Sequence, residues 1–188
     1  MRKKILIFII ILIMLISFAV IFEVPTKVMK LIYPIKYENY VEEYSEKYEV
    51  DKYLIYAVIK AESNFNENAQ SSKDAKGLMQ LMESTAKDIL KKTDDININE
   101  DELATKIIEP QYNIALGTKY ISLLTKKYES IELALVAYNA GSGNVDNWIE
   151  QGILQNDGSN IENVPFKETN NYVRKILRDY NIYKDLYK

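Results

Sequence analysis

Two unlike patterns of apolar and polar positions divide the chain. From Ile5 to Phe22 every residue but Ser17 is apolar, a run of 18 with no polar stripe. As a helix such a run is about 27 Å long, close to a bilayer's hydrocarbon thickness, and its all-round apolarity argues against a half-buried core helix. Beyond residue 36 the period becomes helical. Tyr37, Tyr40, Val41, Tyr44 and Tyr48 fall on one helical face. Asp51 is a natural N-cap for a second helix that carries Leu54, Ile55, Val58 and Ile59 and ends near Glu62. Residues 64–76 are polar and predict a loop, 81–90 a helix, and 92–101, rich in Asp and Asn, a surface excursion.

The second half continues in the same way. Residues 111–128 predict a long helix with Leu116, Tyr120, Leu123, Leu124 and Tyr128 on one side. Gly117 inside it costs about 1 kcal/mol against Ala, which close packing would explain. Residues 131–139 form a short helix ended by Gly141 and Gly143, 145–150 another that carries the only Trp, Trp148, and 152–165 a loop. The closing helix, 169–187, turns Tyr172, Val173, Ile176, Leu177, Tyr180 and Tyr183 inward. No stretch alternates with period two over a useful length. The expected class is all-α: one helical domain at 36–188, behind an N-terminal segment at 1–22 and a juxtamembrane connector at 23–35 with Pro25 and Pro34.

Arg2, Lys3 and Lys4 precede the apolar run with no acidic residue among them, which keeps that end in the cytoplasm and sends the rest outside. Ser17-Phe18-Ala19 loosely fits a small-x-small cleavage site, which favours a signal sequence, while Val20, Ile21 and Phe22 prolong the run and favour a transmembrane anchor. Either outcome leaves the domain extracytoplasmic.

Composition narrows the chemistry. Cysteine and histidine are both absent. That removes disulfides, thiolate nucleophiles, a lipidated N-terminal cysteine and the commonest zinc ligands, and leaves acid–base work to Asp, Glu, Lys or Tyr. No metal or cofactor is expected. Net charge is −3, and without the three N-terminal cations 21 basic residues face 27 acidic ones, a balance of −6. That sign argues against nucleic acid as a partner, and no contiguous polybasic block favours anionic lipid.

Four motifs carry the candidate chemistry. Ala61-Glu62-Ser63 comes first, then Ser71 and Gly77-Leu78-Met79-Gln80, then Ala137-Tyr138-Asn139-Ala140-Gly141, and last Glu168-Thr169 with Tyr172-Val173. Each has a bland reading: a lone Glu is usually solvated, Gly-Leu-Met is an ordinary helix entry, Asn and Gly commonly end helices, and Tyr172 can be a buried phenol. Glu62, however, closes a strongly apolar helix, where partial burial raises a carboxyl pKa and keeps it protonated near neutrality, as a general acid needs. Gln80 has two donors and an acceptor, which suits an N-acetyl sugar. Because the chain uses Tyr at 15 positions, many of them in core pattern, no sugar-stacking role is assigned to a Tyr outside the motifs.

Together, in this order over about residues 40–187, the motifs resemble the lytic transglycosylase catalytic domain, a lysozyme-like relative of goose-type lysozyme that cleaves peptidoglycan glycan strands. The resemblance implies that Glu62 is the sole catalytic acid–base. It implies that Ser71 and Gln80 contact the substrate near the cleaved bond, that Tyr138 and Asn139 line the groove, and that Tyr172 hydrogen-bonds near the catalytic Glu. Ser63 matches the family's serine and is read as positioning the helix end. Two departures stand out: Asp74-Ala75 where the family usually has Gly-Ala, and Glu83 where it usually has Pro. The implied reaction cleaves the β-1,4 bond between N-acetylmuramic acid and N-acetylglucosamine with a 1,6-anhydro product. A hydrolytic muramidase, a silent wall-binding module and a wall-opening subunit of a larger envelope machine stay open. Expected partners are peptidoglycan strands and the cytoplasmic membrane; no motif names a protein partner.

Overall fold

The computed structural model describes residues 26–188 and, ahead of them, Ile5, Phe8, Ile9, residues 11–14 and Ser17. Much of the expected span over 5–22 therefore lies outside the described residues. Those that are described are helical, and the apolar ones expose 44–66% of their surface. Among the described residues no helix is long and apolar enough to cross a membrane.

The domain is helical throughout: α1 (Glu38–Tyr48), α2 (Lys52–Ser63), α3 (Glu83–Leu90), α4 (Leu103–Lys106), α5 (Pro110–Tyr128), α6 (Ile131–Ala140), α7 (Ser142–Glu150), a 3-10 turn (Ile161–Asn163) and α8 (Lys167–Tyr187). Extended pairing among the described residues is limited to isolated bridges, Gln70 with Lys76 and Lys76 with Leu81, which pin the loop between α2 and α3. Helices α2 and α8 pack along one another. Helix α5 packs on α1 and α6, and α6 in turn meets α7 and α8.

Local chemistry explains most boundaries. The Asp51 carboxylate accepts from the Tyr53 N–H at 2.8 Å and caps α2 as expected. Pro110 opens α5 at a position where its missing N–H costs nothing. Gly141, at φ 87, ends α6. Gly143 does not share that role: it lies inside α7, which starts at Ser142. Two further expectations shift. Helix α3 begins at Glu83 rather than 81, because residues 76–81 are held in the bridge pairing. The Asp- and Asn-rich stretch is less peripheral than its composition suggests, since it turns Ile96 inward and leads into α4, where Leu103 is fully buried.

The core runs through α2 and α5. Leu54 to Ile59 are buried consecutively, so α2 is enclosed on more than the one face its period showed. In α5 the stretch from Asn113 to Thr118 is buried, and a side chain at Gly117 would collide with the Met79 side chain, which is the close packing that glycine predicted.

The end of the expected connector is not free. Residues 26–32 are helical and Tyr33 is buried. Tyr33 donates to Asp179 Oδ1 at 3.2 Å, Tyr187 donates to the Tyr33 carbonyl at 2.7 Å, and Tyr183 donates to the Pro34 carbonyl at 3.1 Å. These bonds fasten 33–34 to α8.

Candidate active site

Glu62 sits in the last turn of α2, half-buried beside the polar loop that follows. Ser63 next to it donates back to the Ile59 carbonyl at 3.1 Å and so secures the helix end, the role expected of it. Tyr172, one turn into α8, donates its phenol to Glu62 Oε1 at 2.6 Å, a bond made possible by the packing of α2 on α8. Burial pushes the Glu62 carboxyl up to about 7; the Tyr172 bond and the charge of Lys175 pull the other way and offset only part of it. A carboxyl poised there populates both its protonated and its ionised form near neutral pH, the property that general acid–base catalysis requires.

Glu62 opens onto a cleft of about 320 Å³ whose wall includes Ser71, Gln80, Tyr138 and Asn139. Four of the five motif residues that the resemblance places around the acid thus share one cleft with it. The fifth, Tyr172, is not in the wall. It meets the cleft only through Glu62, and burial holds its phenol well above the usual range. The bond to Glu62 is the contact that the resemblance implied for it.

Internal bonds restrict what each wall residue can offer. Both N–H donors of Gln80 are spent, on the Ala69 carbonyl at 2.9 Å and the Gly77 carbonyl at 3.0 Å, so it presents an acceptor only. Ser71 Oγ accepts from Lys73 N at 3.2 Å and Ala75 N at 3.0 Å, which leaves its hydroxyl proton to give. The Tyr138 phenol donates to the Met79 carbonyl at 2.8 Å. Asn139 Oδ1 accepts from Thr169 Oγ1 at 2.7 Å, so its NH₂ end is the uncommitted one.

The loop's shape rests on a residue outside all four motifs. Asn113, fully buried in α5, accepts from Met79 N at 2.7 Å and donates to the carbonyls of Lys76 at 2.9 Å and Ile107 at 2.6 Å. It lies so close to Gly77 (φ 79) that any side chain there would strike it. Asn113 therefore fixes residues 76–79, and through Met79 both Gln80 and Tyr138. The only sequence signal was a polar residue in the buried stripe of a helix.

The two departures from the family pattern also find physical answers. Asp74 has φ 62, the left-handed region where glycine is freest and Asp is among the better substitutes; its Oδ1 accepts from Gln70 Nε2 at 2.6 Å. Glu83 opens α3, where proline is favoured for its preset φ. There a carboxylate instead interacts with the helix dipole and pairs with Lys87 at 2.9 Å.

Tyr120 and Glu168 are also among the residues of the wall. Tyr120 lines it and packs its ring 5.2 Å from that of Tyr138, although it stands outside the motifs. Glu168 lines it as an exposed second carboxylate, to which the motif pattern assigns no part in the chemistry. Among the described residues no cluster of His, Cys, Asp and Glu is arranged to hold a metal ion.

Comparison with known proteins identifies the family and the fold. The family described as the transglycosylase SLT domain matches residues 39–159. A putative soluble lytic murein transglycosylase of Haemophilus influenzae is 35% identical over 137 residues, 71% of this chain and 22% of that protein. The membrane-bound lytic murein transglycosylase C of Edwardsiella ictaluri is 36% identical over 111 residues, 53% of this chain and 29% of that one. The chain thus spans between a fifth and a third of these relatives' lengths. Among solved structures, the 70 kDa soluble lytic transglycosylase of Escherichia coli superposes with a TM-score of 0.73 at 26% identity, covering 84% of this chain and 25% of that one. An inactive Glu-to-Gln mutant of the lytic transglycosylase Slt of Pseudomonas aeruginosa does so with 0.70 at 27%, with the same coverage.

Proposed function

The chain belongs to the transglycosylase SLT domain family, and from that premise we propose that it is a peptidoglycan lytic transglycosylase with Glu62 as its single acid–base. Protonated Glu62 donates to the glycosidic oxygen of the β-1,4 bond between N-acetylmuramic acid and N-acetylglucosamine, and that bond breaks. The oxocarbenium-like centre at C1 is relieved by the substrate's own 2-acetamido group, a route used by substrate-assisted glycosidases. The Glu62 carboxylate then takes the proton of the muramoyl C6 hydroxyl as that oxygen closes on C1. The product carries a 1,6-anhydro ring, and Glu62 ends the cycle protonated, as it began.

The observation that carries this reading is Glu62 itself: a half-buried carboxyl pushed to about 7, on a cleft lined by amide and hydroxyl groups. Both halves of the cycle need such a group, since a fully ionised one could not donate and a permanently neutral one could not accept. Tyr172 and Lys175 favour the carboxylate formed midway. The assignment predicts that Glu62→Gln loses at least ~10²-fold of activity, the lower scale for one general acid–base group. The check is turbidity loss of a cell-wall suspension with a folded mutant; activity within a few-fold of the unchanged protein would remove Glu62 from the role.

Glu168 supports a second reading. An exposed carboxylate on the same cleft can activate water, which turns the enzyme into a hydrolytic muramidase. The product's end group separates the two, because an anhydro end is one water lighter than a reducing end.

The apolar run at 5–22, with its preceding cations and exposed apolar side chains, supports an uncleaved anchor that holds the domain at the outer face of the cytoplasmic membrane. One relative's printed name, a membrane-bound transglycosylase, is in keeping with that placement.

A further inference from the structure

Lys30 and Lys36 from one segment and Lys60 from α2 line one open hollow of about 560 Å³ together with Leu31, Ile32 and Pro34. None of the three lies in an ion pair among the described residues. Each stands over an aromatic ring instead: Lys30 over Tyr187 at 5.1 Å, Lys36 over Phe65 at 5.9 Å and Lys60 over Tyr33 at 4.7 Å from the ring centre. Tyr33 and Phe65 are buried and Tyr187 partly so, and these fixed rings hold the three ammonium groups around one hollow. No contiguous basic block foretold this, because the cluster exists only once residues 30–36 are fastened against α2 and α8.

The same segment carries an apolar stripe. In the helical residues 26–32, Met29 packs against the core, while Val28, Leu31 and Ile32, spaced i, i+3, i+4, expose 47%, 81% and 49% of their surface. A single exposed Leu needs no explanation, but a stripe beside uncompensated cations has the make-up of an interfacial segment. We propose that this face of the domain docks on anionic phospholipid, with the stripe at the headgroup–acyl boundary and the lysines on phosphate oxygens.

Two observations select lipid as the occupant. Charge complementarity is local: with a screening length of about 8–10 Å, three clustered lysines act on a surface they touch despite the acidic balance of the rest. Chain length does the rest, since Val28 is six residues past Phe22, where the apolar run ends, and so lies at most about 21 Å from it even fully extended. The proposal rests on the anchor reading for this proximity alone. Docking would fix the cleft's direction relative to the membrane, which an anchor alone would not.

The chain has no cysteine, so Leu31→Cys and Leu12→Cys each create a single labelling site in the full chain. Each variant carries an environment-sensitive fluorophore in nanodiscs that contain a lipid-borne quencher, with phosphatidylcholine alone or mixed with phosphatidylglycerol. Both labels should be quenched in the anionic discs. Only the Leu31 label should lose quenching in phosphatidylcholine, in high salt, or in the Lys30→Glu, Lys36→Glu, Lys60→Glu background. Each lysine near an anionic surface gives about a fivefold gain, so the docked-to-free ratio should change on the order of 100-fold for three. The lipid and salt comparisons leave the lysines intact and keep the test valid if the triple variant misfolds. A quenched Leu12 label with an unquenched Leu31 label overturns docking and leaves the anchor. A quenched Leu31 label without Leu12 supports docking and removes the anchor, and no quenching at either site overturns both. Leu31 quenching that ignores lipid charge overturns the role of the lysines. A response of the Leu31 label to soluble poly(glycerol phosphate), with none to lipid, reassigns the hollow to an anionic polymer and overturns docking.

Discussion

Glu62 draws two opposed properties from one environment. Burial raises its pKa to about 7, and the Tyr172 hydrogen bond and Lys175 hold it from going higher. A reaction that starts from the protonated acid should lose rate as pH rises through about 7. Tyr172→Phe removes a bond that favours the charged form, so the alkaline limb should move to higher pH, while the plateau rate falls because the carboxyl loses the bond that orients it. The pH profile of kcat/KM checks this, and an unmoved limb would detach Tyr172 from the acid. The same burial costs stability. The folded pKa lies above the unfolded value of 4.5, so the folded state holds more protons between the two. Stability associated with this group is complete below about 4.5 and is lost as pH rises through about 7. Glu62→Gln should therefore melt higher than the unchanged protein at pH 8, by an equivalent of at most about 3 kcal/mol, with the gap closing toward pH 4. Thermal melts at the two pH values read this directly, and equal melting at pH 8 would show that the carboxyl is not held up by burial.

At the scale of elements, the site is a meeting of ends: the last turn of α2, the loop before α3, the end of α6 and the first turns of α8. The sequence revealed the ends well. Glu62 follows a dense apolar helix, Asp51 caps its start, and Gly141 closes the helix that bears Tyr138 and Asn139, all features of local spacing. It did not reveal the bonds between elements, because a single side chain's partners depend on packing across long stretches of chain. Asn113 is the clearest case, with Thr169 holding Asn139 another. Asn113→Ala would leave the Met79 N–H and the Lys76 and Ile107 carbonyls without their partner. A cost of about 3 kcal/mol is expected, a drop in Tm of roughly 10 °C for a domain of this size. Activity should fall at temperatures where the variant is still folded, because Gln80 and the Met79 carbonyl that receives Tyr138 lose their fixed position. Calorimetry with assays well below Tm checks both, and an unchanged kcat/KM in a destabilised protein would reduce Asn113 to a core residue.

The whole molecule joins this site to the apolar N-terminal run proposed above as an anchor. The connector expected at 23–35 could reach about 45 Å if extended. With 26–32 helical those seven residues advance only about 10 Å, and 33–34 are fastened to α8. The proposed anchor, attached in this way, would confine the domain to glycan close to the bilayer rather than to distant wall. The central claim, that the cleft performs transglycosylation through Glu62, is tested most directly by mass spectrometry of the muropeptides that the full chain releases from purified peptidoglycan. The account predicts products ending in 1,6-anhydro-N-acetylmuramic acid, unchanged in kind by Glu168→Gln and absent with Glu62→Gln. Products ending in reducing N-acetylmuramic acid, one water heavier, or release that survives Glu62→Gln, would contradict it.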